Sequence, residues 1–164
     1  MCPSSLSNVE QSGGRVRSKK HAYIGWKDVR GWTCVRCGEC CKRYIIQLSQ
    51  GEVLYYSAKY GPVAVGYRGK YYLVKKYDGS CIFLDYERGV AKCLIYHDRP
   101  RVCRMYPFLV TRKPLNGDGE DAEIRLGERK VYLYVDAVCP GVNTAENIHY
   151  LLGKILEKWL RYFG

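Results

Sequence analysis

Four cysteines fall within eight residues, Cys34-Val-Arg-Cys37-Gly-Glu-Cys40-Cys41, and five more stand at Cys2, Cys81, Cys93, Cys103 and Cys139. No other feature restricts the chain so strongly. Residues 1–14 are polar and lack the apolar segment of a secretory signal, so the cytosol is the expected compartment. Thiols stay reduced there, and clustered cysteines serve metal or redox chemistry more often than disulfides. Disulfides stay open as an alternative, because intracellular proteins of hyperthermophiles can be rich in them. Four thiols packed so closely are nonetheless a poor layout for bridges that need matched Cβ geometry.

The spacing narrows the chemistry. A single C-x2-C is a common half-site for zinc. Two in succession, at Cys34, Cys37 and Cys40, resemble the run that wraps three corners of an iron–sulfur cubane, with a remote fourth ligand before a proline. Cys139-Pro140 supplies such a residue, and Gly38 suits the tight turn. Cys41 should diverge from its neighbour Cys40 and serve a different centre. The expected division is Cys34, Cys37, Cys40 and Cys139 for one centre, and Cys41, Cys81, Cys93 and Cys103 for another. A single centre with bystander thiols is the rival. Buried cysteine also packs as a small hydrophobe, a reading that suits Cys81 and Cys139 best. Cys2 lies in the polar N-terminal stretch and is expected to be unrelated. Thiolate-only ligation suits zinc and iron alike, and the doubled spacing tilts the expectation toward a [4Fe–4S] cluster over Zn2+.

With 164 residues, 47% of them apolar, the chain can bury one core and is not wholly disordered. No apolar run reaches the ~18–20 residues of a membrane helix. The expected organisation is a flexible basic tail at residues 1–20 and one cysteine-cluster domain at 21–164. The net charge is +11. Eight thiolates and two divalent ions would bring it to about +7. Arg36, Lys42, Arg43, Lys92 and Arg104 flank the cysteines and could favour the thiolate form.

The expected fold class is α+β: a small metal-stabilised domain with an antiparallel β meander, short helices and a C-terminal amphipathic helix. Ser49 with Glu52 forms a capping box that should start a helix running to about Lys59, stopped by Gly61-Pro62. Strands are expected at 63–67, 70–77, 81–86 and 90–96. With a turn at 87–89, Cys81 would oppose Ile95 and Cys93 would oppose Phe83. Both sulfurs would then share one sheet face, ~7–8 Å apart, unless the register slips by one. Asp98-Arg-Pro100 should open a short helix bearing Cys103, with Asp98 as its cap. Residues 112–130 read as an exposed excursion and 131–138 as a strand. Residues 144–163 read as the strongest helix, with Ile148, Leu151, Leu152, Ile155, Leu156, Trp159, Leu160 and Phe163 along one face and Asn143 with Glu146 as caps.

The ordered series Cys34-x2-Cys37-Gly-Glu-Cys40-Cys41, Cys81-Ile-Phe-Leu, Cys93-Leu-Ile-Tyr-His-Asp-Arg-Pro-Arg-Val-Cys103-Arg-Met-Tyr-Pro-Phe and Cys139-Pro-Gly resembles the YkgJ-like cysteine-cluster family, also called CxxCxxCC. The resemblance covers about residues 32–141. It implies a zinc- or iron-chelating domain with metal or cluster ligation at Cys34, Cys37, Cys40, Cys41, Cys81, Cys93, Cys103 and Cys139. A similar cluster occurs in the longer flagellin lysine N-methylases.

The first expected function is therefore metal binding, in a structural, electron-transfer or sensing role, with a protein or redox partner. A second is an enzyme or enzyme subunit for protein modification. Its polar groups would come from His97, Asp98, Arg99, Arg101, Arg104 and Tyr106, with no catalytic residue assigned. His97 could replace a cysteine as ligand but reads more simply as a surface-turn residue, and Arg104 as locally hydrogen-bonded. No glycine-rich dinucleotide fingerprint is present. A third, weaker reading is a nucleic-acid-binding zinc protein, from the basic front segment with Tyr23, Trp26 and Trp32.

Overall fold

The computed structural model describes residues 23–115, 117 and 119–164. The expected tail at 1–20, and Cys2 with it, lies outside the described residues. The chain runs through β1 (Tyr23–Gly25), a 3-10 turn (Trp26–Asp28), β2 (Gly31–Trp32), α1 (Glu39–Arg43), β3 (Gln47–Leu48) and α2 (Gln50–Tyr60). Next come β4 (Ala64–Tyr67), β5 (Lys70–Leu73), β6 (Leu84–Glu87), β7 (Val90–Cys93), a second 3-10 turn (Tyr96–Asp98) and α3 (Arg101–Met105). The last elements are β8 (Phe108–Thr111), β9 (Glu123–Leu126), β10 (Arg129–Asp136), β11 (Val142–Asn147) and α4 (Ile148–Phe163). The fold is α+β with antiparallel strand pairing, as the patterning predicts.

Two hydrophobic clusters build it. In the first, β10 is the central strand, flanked by β1 and β8 and paired also with β9. Its inward residues Val131, Leu133 and Val135 meet Ile148, Leu151, Ile155 and Trp159 of α4. Burial of such a stripe is worth roughly 1.5–3 kcal/mol per large side chain, so packing holds α4 to the sheet. The second cluster gathers Leu48, Tyr56, Val63 and Leu73 from the β3-β5-β4 sheet and α2 with Cys81, Phe83, Leu84 and Ile95 around the β6-β7 hairpin. Among the described residues no helix is long and apolar enough to cross a membrane.

The capping box at α2 is present in full. Ser49 Oγ accepts from Glu52 N–H at 3.3 Å, and the Glu52 carboxylate accepts from Ser49 N–H at 2.9 Å.

Four expectations change. Helix α4 starts at Ile148, not 144, because residues 142–147 form β11 against β2. Asn147 is its cap, accepting from His149 N–H at 2.8 Å. Asn143 instead accepts from the Arg30 N–H. The stretch 112–130 is not all excursion, since 123–126 forms β9 of a hairpin with β10.

The β6-β7 register is one residue off the expected pairing. Leu84 opposes Cys93 and Glu87 opposes Val90. The cause is a two-residue turn, Arg88-Gly89, with φ of 50° and 78°, the double left-handed conformation of a tight hairpin. Cys81 leaves the strand altogether and bridges Lys75. Finally, Asp98 does not cap α3. Its carboxylate accepts from Tyr60 Oη at 2.7 Å and pairs with Lys59, which hold its pKa down to about 2.

Candidate metal centre

Cys34, Cys37, Cys40, Cys41, Cys81, Cys93, Cys103 and Cys139 all line one cavity of about 1520 Å³. All eight are free thiols. They arrive from five separate stretches of the chain, and local backbone features explain how.

Gly38 adopts φ 79° at the N-terminus of α1, where a Cβ would stand 3.0 Å from Ala91 Cβ and 3.1 Å from Tyr86 Oη. Only glycine lets the 37–40 turn lie so close to the β6-β7 hairpin. Ala91 N–H donates to Arg36 C=O across the same contact. Cys41 C=O in turn accepts from Cys81 N–H at 2.8 Å, tying α1 to the second cluster. Gly141 does the equivalent work for Cys139. A Cβ there would fall 2.0 Å from Thr33 C=O, while Thr33 N–H donates to Gly141 C=O. The Cys139 turn is thereby held against the residue that precedes Cys34.

The sulfurs share a hydrogen-bonding pattern. Cys37, Cys81 and Cys93 each accept from the backbone N–H two residues ahead, of Glu39, Phe83 and Ile95. Cys139 Sγ accepts from the Trp32 indole N–H at 3.4 Å. Donors aimed at sulfur favour the thiolate, the form that binds metal. Burial opposes them and leads. It raises the Cys37, Cys81 and Cys93 thiols above their ordinary value despite these donors, and raises Cys103 further, with neighbouring cysteines adding to the effect.

Cys40 and Cys41 do not diverge as expected. Their sulfurs are 4.0 Å apart. The contact with Cys41 holds the Cys40 pKa below its ordinary value, with burial opposing and Arg99 assisting, and Cys41 is raised in return. Through their charges the thiols form one connected set: Cys37 interacts with Cys139 and Cys40, and Cys40 interacts also with Cys41, Cys81 and Cys93. Cys103 joins the same set through Cys81, Cys40 and Cys93. Cys34 is exposed at the rim.

The donor chemistry fits a thiophilic ion, with buried thiols, N–H donors and the Arg99 cation around one space. As the side chains stand, no three Cys, His, Asp or Glu among the described residues already form a group tight enough to hold an ion.

Among the polar candidates, Arg104 donates to the carbonyls of Arg99 at 2.7 Å and His97 at 2.6 Å, which fixes the 97–104 segment. His97 lines the cavity but is exposed, its ring edge-on to Tyr96. Arg101 donates its N–H to Glu52, and Tyr106 packs on Tyr44. Trp26 packs edge-on to His149 and Trp32 edge-on to Phe108, both half-buried against the first cluster.

Sequence reasoning missed Trp32 as a sulfur donor, Gly141 as the close-approach residue and Asp136. The last is fully buried beside the Cys139 turn, accepting from Tyr44 Oη and Val138 N–H. The Cys-Pro-Gly triplet was the available signal for Gly141.

Comparison with known proteins agrees with the cysteine pattern. The family model CxxCxxCC, described as "Putative zinc- or iron-chelating domain", matches residues 33–140. An uncharacterized protein of Methanocaldococcus jannaschii is 30% identical over 110 residues, covering 60% of this chain and 56% of that protein's length. No solved structure matches.

Proposed function

The chain belongs to the CxxCxxCC family, and on that premise we propose that it is a metal-chelating protein holding a [4Fe–4S] cluster through Cys34, Cys37, Cys40 and Cys139. Cys41, Cys81, Cys93 and Cys103 would hold a second centre. Zinc is the alternative occupant, since thiolates serve both metals. The observation that carries the reading is the convergence of eight thiols from five stretches of chain on one cavity. The doubled x2 spacing and the remote Cys139-Pro140 favour the cluster over zinc.

A bound cluster supplies one-electron transfer, whereas zinc supplies a cross-link alone. The chain's own residues do the rest. The N–H groups of Glu39, Phe83 and Ile95 and the Trp32 indole orient and stabilise thiolates. Cys81 belongs to the second hydrophobic cluster, with Cys41 and Cys93 packed against it, while the Cys139 turn follows β10 of the first. Ligation would therefore tie the two clusters together, a structural role that either metal can fill.

The test is metal and acid-labile sulfide analysis, with an absorption spectrum, on protein prepared without oxygen. Iron and sulfide with visible absorption that bleaches on reduction are expected. Stoichiometric zinc in a protein that stays colourless after reconstitution with iron and sulfide would exclude the cluster. Absence of both metals would exclude chelation.

A further inference from the structure

The eight thiols line the cavity together with solvent-exposed residues of other kinds, and these form its open side. Val35, Ile45, Val90, Leu94 and Val102 all line it and all are exposed, Ile45 at 70% and Leu94 at 57%. Exposed aliphatics are unremarkable singly, whereas several around one opening mark an interaction surface. Cations line the same cavity. Arg36 and Arg88 are exposed on the cysteine loop and the hairpin tip, and Lys158 is exposed on α4. None of these three has a carboxylate partner among the described residues. The acidic residues of the lining are already engaged: Glu39 pairs with Lys42 and Arg43, Glu87 with Lys92, and Asp98 with Lys59.

We propose that this open side is the docking surface for an acidic protein partner that presents aliphatic side chains between carboxylates. The purpose of such docking, access to the metal centre, rests on the chelation reading above; the binding itself does not. An apolar centre with arginine at its edge is the composition of a protein interface, and opposed charge steers encounter and fixes register. A second copy of this chain, at +11, is repelled. The chain's own N-terminal stretch carries the same sign of charge, at Arg15, Arg17, Lys19 and Lys20, and offers no charge complement. Polynucleotide phosphate would satisfy the cations but leave the aliphatic rim facing a charged backbone.

The probe is a fluorescent peptide alternating glutamate and leucine, titrated by anisotropy against the protein as purified. A lysine–leucine peptide and a single-stranded oligonucleotide serve as comparisons. The glutamate–leucine peptide should bind and the lysine–leucine peptide should not.

Two variants locate the site. Arg88→Asp with Lys158→Glu reverses two rim charges and should weaken binding about tenfold or more; aspartate tolerates the left-handed backbone at position 88. Ile45→Ser removes an exposed aliphatic and should weaken binding severalfold. Circular dichroism and metal content should match the parent protein in both.

Failure of the glutamate–leucine peptide to bind, binding untouched by the variants, or an oligonucleotide held as tightly as that peptide would each overturn the proposal. Metal analysis of the same samples separates it from the chelation reading. Binding without metal leaves the docking surface standing and removes chelation, while metal without binding does the reverse.

Discussion

Glu52 couples the fold to the cysteine cavity, and replacing it gives a quantitative test. Its carboxylate accepts from Ser49 N–H at 2.9 Å and Ser49 Oγ at 3.0 Å, closing the capping box of α2. It also accepts from Arg101 N–H at 2.8 Å, at the first residue of α3, two residues before Cys103. The side chain is 16% exposed, so solvent screens these contacts little. Glu52→Ala removes one side of the capping box, worth about 0.5–2 kcal/mol, and strands the Arg101 N–H, worth about 1–3 kcal/mol. The expected loss is about 1–4 kcal/mol, because the two terms share one carboxylate and do not add fully. Glu52→Gln keeps a single acceptor oxygen and should lose about half of that.

The pH dependence has a definite sign. Burial alone would raise the Glu52 pKa, but the N–H groups of Ser49 and Arg101, the Ser49 hydroxyl and the Arg101 charge hold it below its ordinary value. A depressed folded value contributes stability fully above the unfolded carboxyl pKa of about 4.3, and the contribution is lost as pH falls through the lower folded value. Urea midpoints at fixed metal loading, from pH 7 down to 3, measure both effects. The reasoning fails if Glu52→Ala costs under about 0.5 kcal/mol, or if Glu52→Gln leaves the acid sensitivity of the parent protein unchanged.

Two further outcomes are expected. Asn147→Ala removes the N-terminal cap of α4 and should cost about 0.5–2 kcal/mol, read as a lower urea midpoint with no change in metal content. Arg99 favours the thiolates of Cys40, Cys93 and Cys103, so Arg99→Gln should raise those pKa values. In metal-free protein their alkylation at a fixed pH near neutrality should slow, mapped by mass spectrometry, while Cys34 is unaffected; equal rates at all sites would contradict it.

The sequence carried those features whose cause is local. The Ser49–Glu52 box spans four residues and forms as read. The 3.6-residue stripe of α4 forms because it faces β10, yet its start moved to Ile148, since β2 recruits 142–147 as a strand and no local signal reports that pairing. The register of β6 and β7 turned on one residue. Arg88 takes a left-handed conformation that non-glycine residues seldom adopt, which makes a two-residue turn where a three-residue one was read. The same logic governs the cavity. Cysteine spacing named the thiols that line the cavity, because residue identity is a property of the chain. Their arrangement depends on close approaches between distant backbones, at Gly38 against the β6-β7 hairpin and at Gly141 against Thr33. Adjacent side chains ordinarily diverge, and that expectation separates Cys40 from Cys41. Both lie in α1, and their sulfurs nonetheless come to 4.0 Å. Cys40 is therefore coupled to Cys41, Cys81, Cys93 and Cys103 at once, and a proposed division of the eight into independent fours must pass through the contact between Cys40 and Cys41.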